Sequence, residues 1–146
     1  MIARLSLAAS VCWAVFFVTV DALAEEQPRP TPEQERFFEE KIRPLLAAHC
    51  WECHGAKKQE FGLRLDGRAL ILRGGESGER AAVPGEPEKS LLIRAVTYKG
   101  DVQMPPKGKL PDEQIAHLIE WVKQGLPWPA AGAAAPVPLT AAERAI

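Results

Sequence analysis

An all-α domain of short helices is what this 146-residue sequence predicts, on three observations. Apolar side chains recur at helical spacing in two stretches, Phe37, Phe38, Ile42, Leu45 and Leu46 near the start, and Ile115, Leu118, Ile119 and Val122 near the end. Helix punctuation brackets those stretches, with Thr31-Pro32 ahead of the first and Gly125 and Pro127 after the second. No βαβ pattern surrounds them. The length suits one domain with tails, divided as residues 1–24, 25–31, 32–129 and 130–146.

Residues 1–24 read as an export signal. Arg4 supplies a positive start, Leu5 to Val20 is an apolar run, and Ala22-Leu23-Ala24 is a small-residue cleavage site. The run falls short of the ~20 residues a spanning helix needs. Asp21, Glu25 and Glu26 also suit cleavage, so no stable membrane insertion is expected afterwards. An uncleaved anchor is the alternative reading. The expected location is outside the cytoplasm, in the periplasm or cell envelope.

Residues 25–31 form a polar leader. Thr31, Pro32 and Gln34 then spell a helix start, with Thr as cap, Pro in the first turn and Gln closing a capping box. Pro44 should kink or split this helix, because it lacks a backbone donor. Leu63 and Leu65 alternate with Arg64 and Asp66, as in a short extended piece. Asp66 is a candidate cap for a helix over Arg68 to Arg73 ending at Gly74-Gly75. Pro87 to Val96 reads as a further helix. Met104-Pro105-Pro106 cannot be helical. The last helix is expected from about Pro111 to Gln124, with Trp121 beside its apolar face. Pro129 onward is rich in Ala and Pro, a tail or linker.

Net charge is −1, which leaves no nucleic-acid footprint. Of three cysteines, Cys12 lies in the apolar run and leaves with the signal. Val11 before it is not the small residue a lipoprotein site requires. Cys50 and Cys53 remain, and a C-x-x-C disulfide closes too small a loop to staple a fold.

Those two cysteines stand in Cys50-Trp51-Glu52-Cys53-His54, a single C-x-x-C-H. The spacing suits covalent haem: two thiols reach two vinyl groups, and the following His meets the iron. The expected cofactor is one haem c, bound by Cys50 and Cys53 with His54 as proximal iron ligand. Met104 is the only methionine beyond Met1 and the candidate second axial ligand, with a proline pair behind it to restrict the loop. His117 is the runner-up, set on the last helix, and His49 is too close to the attachment strip. Two other chemistries stay open at this point: a thiol redox pair and half of a zinc site completed by His49, His54 or His117. Lys57, Lys58, Lys99, Lys107 and Lys109 flank the segments that would meet at the haem edge, either to steer an acidic partner or as a solvated rim.

Phe37 to Gly55, FFEEKIRPLLAAHCWECHG, together with GLRLD (Gly62 to Asp66), VPGEPEKSLLIRAV (Val83 to Val96), QMPPKGKL (Gln103 to Leu110) and WVKQGLPWP (Trp121 to Pro129), resembles the planctomycete-type cytochrome c domain over about residues 33–129. The resemblance implies a cytochrome c-like fold of short helices around one covalently attached haem. Its N- and C-terminal helices would cross where Phe37 or Phe38 meets Trp121. It places the family's cysteines, proximal His and distal Met on Cys50, Cys53, His54 and Met104. Pro111 departs from the Ser or Thr cap of many relatives. The expected function is single-electron transfer by an exported carrier, not an enzyme, with a redox partner protein or fused domain. The alternatives are the electron-entry domain of a larger exported oxidoreductase, of which this chain is a fragment, and a haem-based ligand-binding or sensing module.

Overall fold

The first long helix is built in three pieces, and Pro44 explains why. In the computed structural model, which describes residues 29–130, α1 (Pro32–Phe37) passes into a wide π-type turn (Phe38–Ile42) and then α2 (Arg43–His49). Pro44 offers no N–H, and its ring crowds the carbonyl four residues back. The chain answers by widening: Arg43 N–H donates to Phe38 C=O, five residues back, and Pro44 falls in the first turn of α2. The expected split is present, one residue ahead of the proline. The capping box also forms, with Gln34 N–H donating to Thr31 Oγ1 at 3.3 Å and Thr31 N–H donating to Gln34 Oε1 at 2.9 Å. Thr31→Ala should cost about 1 kcal/mol in urea unfolding.

After α2 come a single 3₁₀ turn (Glu60–Gly62), α3 (Arg68–Arg73), a second 3₁₀ turn (Pro87–Lys89), α4 (Leu91–Val96) and α5 (Asp112–Lys123). No strand occurs among the described residues; the fold is all-α. Leu63 to Leu65 runs without helix and without a strand partner. Asp66 does not cap α3. It accepts both arms of the Arg64 guanidinium, at 2.9 and 2.7 Å, and Gly67 takes the cap position without a side chain. The ion pair holds the Asp66 carboxyl below its ordinary range. The helix expected from Pro87 to Val96 is broken at Ser90, which is extended and fully buried. Its hydroxyl donates to Glu86 C=O and accepts from Val83 N–H, both at 2.9 Å, so the buried Ser90 hydroxyl is satisfied at the break.

Pro111 caps α5 without a side-chain bond, and the helix starts at Asp112. Asp112 and Glu113 in its first turn favour the positive helix end. Ile115, Leu118 and Val122 are buried as expected, and Trp121 is wholly buried rather than beside the face. α5 packs on the π turn and on α4. At that crossing the Phe38 ring lies 6.0 Å from Trp121 and 4.6 Å from Trp128. Phe37 instead meets His117 edge-on at 5.8 Å. Arg43, clamped by Glu39 at 2.5 and 2.8 Å, sits 4.9 Å above the Phe38 ring.

The chain beyond α5 is part of the core. Leu126 and Pro129 are fully buried, and Trp121 Nε1–H donates to Pro127 C=O at 2.9 Å. Arg68 Nε donates to Leu126 C=O at 3.1 Å, tying the start of α3 to this segment. The expected export signal at 1–24, residues 25–28 and residues 131–146 of the expected tail lie outside the described residues. No helix among the described residues is long and apolar enough to cross a membrane.

Candidate functional site

The end of α2 runs straight into one more tight turn, and that turn sets the wall of a cavity. Cys50 N–H donates to Leu46 C=O at 2.9 Å, and His54 N–H donates back to Cys50 C=O at 2.8 Å. The turn is then pinned from outside: Leu65 N–H donates to His54 C=O at 2.8 Å, and Trp51 Nε1–H donates to Leu65 C=O at 2.9 Å. Gly55 closes it at close quarters, since a Cβ there would lie 2.4 Å from the Trp51 carbonyl oxygen. GLRLD is thus a strap over the C-x-x-C-H turn.

The cavity holds about 670 Å³. That is within the ~300–1,000 Å³ of ordinary cofactor and ligand sites. Cys50, Cys53, His54 and Met104 all line it, so the four candidate residues come together in one place. Leu65 and Ala81, with Leu92, Ala95 and Val96 of α4, supply apolar wall. His49 reaches its edge. His117 does not line it; it borders a separate hollow of about 380 Å³ on the α2–α5 side, with Glu113 Oε1 4.0 Å from its Nε2. It is a partly exposed histidine of α5 packed edge-on against Phe37.

Three observations test whether a large apolar, iron-bearing group fits here. His54 is only 7 % exposed, and its Nδ1 finds no hydrogen-bond partner. A buried polar atom that protein leaves unmet costs about 1–3 kcal/mol, so this is no ordinary core histidine. Cys50 is buried and unbonded, and burial pushes its thiol pKa up to about 12. Redox thiols need the opposite shift, because the thiolate is the nucleophile. Among the described residues, no cluster of three or more His, Cys, Asp or Glu side chains could hold a metal ion, so the zinc reading finds no second half. The residues fit haem.

Met104 is half-buried on a loop between α4 and α5. Its N–H donates to Ala95 C=O at 3.1 Å. Two features of the mouth escaped the sequence reading. Phe61, 69 % exposed, lines the cavity with a left-handed backbone (φ 55), and Val102 lines it with 48 % exposure. A bulky residue at positive φ carries no mark in the sequence; only the fold reveals it.

The lysine rim is largely neutralised. Lys58 meets Glu60 at 2.6 Å, Lys109 meets Asp112 at 3.3 Å, and Lys107 lies 3.7 Å from Glu52. Lys58 holds the Glu60 carboxyl below its usual range. Lys57 and Lys99 form no ion pair among the described residues. Three of the five lysines therefore face a carboxylate, which weakens a purely cationic steering patch.

Residues 50–108 match the family model described as Planctomycete cytochrome C. The resemblance drawn from the sequence is thereby shown, and the match points to a haem-binding cytochrome. The planctomycete cytochrome c match begins at Cys50 and ends just past the Met104 loop, so it contains all four cavity residues. α1, α2 and α5, whose crossing forms the aromatic core, flank the matched span. No curated protein and no solved structure matches the chain.

Proposed function

We propose that this protein is an exported c-type cytochrome that passes single electrons through one covalently attached haem. The observation that carries the reading is the convergence of Cys50, Cys53, His54 and Met104 on one apolar cavity. When bound, the haem supplies an iron that cycles between ferric and ferrous. The chain's own residues do the rest. Cys50 and Cys53 hold the group by thioether bonds, which the neutral, buried state of Cys50 suits better than thiol exchange does. His54 and Met104 would hold the iron, and the apolar wall of Leu65, Leu92 and Val96 would keep water from it. A low local dielectric and a Met ligand both favour a higher potential than a bis-His site gives. Export rests on the pattern of residues 1–24, and a redox partner protein or fused domain is the proposed source or sink of electrons.

Expression with export and c-haem attachment machinery tests this directly. A low-spin c-type spectrum, with haem that stays on the denatured polypeptide, is expected. A haem-free protein beside a working control cytochrome would return Cys50 and Cys53 to other chemistry. Met104→Ala should keep the haem attached and lose the weak red ferric band of Met ligation. Its midpoint potential should fall by on the order of 0.1 V, a fraction of the ~0.8 V that axial ligands span. Unchanged ligand spectra in that variant would remove Met104 from the iron.

A further inference from the structure

The loop that carries Met104 is held by few bonds. It runs between Gly100 and Gly108, both at positive φ with open space around them. Among the described residues, two hydrogen bonds tie residues 101–107 to α4 and the turn after it, while Gly108 N–H closes the loop on itself by donating to Pro105 C=O at 3.2 Å. One is Met104 N–H to Ala95 C=O at 3.1 Å. The other is the Tyr98 hydroxyl, which donates to Pro105 C=O at 2.5 Å. The remaining tie is the exposed pair of Lys107 with Glu52, which water screens to little value.

Tyr98 is the single tyrosine of the chain, and its backbone is left-handed (φ 59). An aromatic residue reaches that region only where its surroundings determine it. Here Tyr98 N–H donates to Ala95 C=O at 3.2 Å, the same carbonyl that receives Met104 N–H. The turn after α4 thus brings the phenol back across the loop, onto the carbonyl that follows Met104 in the chain.

We propose that Tyr98 is a positioning residue for Met104: its hydroxyl fixes the loop that presents the thioether to the cavity, and so sets how readily an outside ligand displaces it. The proposal rests on Met104 being an axial ligand. With the hydroxyl present, the sulfur is held in place before it binds, and little loop entropy is lost on ligation. Without it, the Pro105 carbonyl keeps only the local Gly108 N–H at 3.2 Å, and Met104 N–H makes the one hydrogen bond left between the loop and α4.

The test is an imidazole titration of the ferric holoprotein, followed by the main haem absorption band in wild type, Tyr98→Phe, Met104→Ala and the double variant, with loss of the methionine band recorded as well in the two that retain Met104. Tyr98→Phe keeps the ring and should give up Met104 to imidazole with about three- to tenfold tighter apparent affinity, the range one hydrogen bond covers. In the Met104→Ala background the same substitution should change nothing, because coupling is confined to residues that act on each other. Equal affinity in wild type and Tyr98→Phe, or the same gain in both backgrounds, would overturn the role of Tyr98. A wild-type spectrum without the methionine band would overturn the ligand assignment beneath it, a separate failure. Amide exchange supplies a reading without added ligand. Met104 N–H should exchange about three- to tenfold faster in Tyr98→Phe while Ile42 N–H, at the distant helix crossing, keeps its rate. A uniform acceleration would mean general destabilisation and would also overturn the proposal.

Discussion

Replacing Cys50 and Cys53 together by Ser should abolish covalent haem retention and leave a chain that scarcely holds its fold. The first effect is all or none: acid–organic extraction should strip the haem completely from the variant and not from the wild type. The second follows from the cavity. About 670 Å³ of space lies between the C-x-x-C-H turn, α4 and the Met104 loop, walled by Leu65, Ala81, Leu92 and Val96. Apolar walls facing a void forfeit their dispersion contacts. A domain of this size has no surplus to cover such a loss, since total stability is ~5–15 kcal/mol. A loss of at least ~3 kcal/mol is expected, a fall of roughly 12–24 °C in Tm at the ~4–8 °C per kcal/mol of small domains. Calorimetry of the variant beside the holoprotein reads it. A double variant with unchanged Tm would mean that the cavity does not depend on a bound group, and the thiol reading would then regain ground.

Much of this site was legible because its signals are local. Thr31, Pro32 and Gln34 specify a cap within four residues, and the cap forms as spelled. Arg68–Arg73 ends at Gly74, whose φ of 77 suits glycine. The C-x-x-C-H spacing and Met104, the only methionine beyond Met1, point at each other without any knowledge of the path between them. What the sequence could not show depends on contacts made across the chain. Pro44 announces a disturbance, yet the sequence does not say that the helix widens rather than breaks, nor that the wide turn sets Phe38 against Trp121 and Trp128. Asp66 is as good a cap as any by type; Arg64, two residues away, claims it first. Ser90 looks like a neutral helix residue, but the Val83 N–H and the Glu86 carbonyl draw its hydroxyl and the helix parts there. Lysines beside the motif read as a positive rim until Glu52, Glu60 and Asp112 are seen opposite them. Tyr98 is the same case. Its phenol matters through a carbonyl seven residues on, which no spacing rule anticipates.

The second large effect concerns the crossing of the terminal helices, and it is independent of any haem chemistry. Phe38→Ala should cost about 3–5 kcal/mol in urea unfolding of the holoprotein, the range for deleting a large aromatic from a packed core. Phe38 is wholly buried, touches both Trp121 and Trp128, and carries Arg43 over its ring. The cavity left behind cannot collapse easily, because Trp121 is pinned by its bond to Pro127 and Arg43 by Glu39. Phe37→Ala is the matched control. Its ring is half-buried and meets only the edge of His117 within aromatic range, so a cost of about 1 kcal/mol is expected. The two substitutions remove the same atoms one residue apart, on either side of the change from α1 to the π turn. Equal costs would mean that the wide turn does not select Phe38 for the core and that the helix register is wrong. A cost confined to Phe38→Ala, with the ferric spectrum unchanged below the transition, would place the aromatic crossing in the stability of the domain and leave the cavity residues to its chemistry.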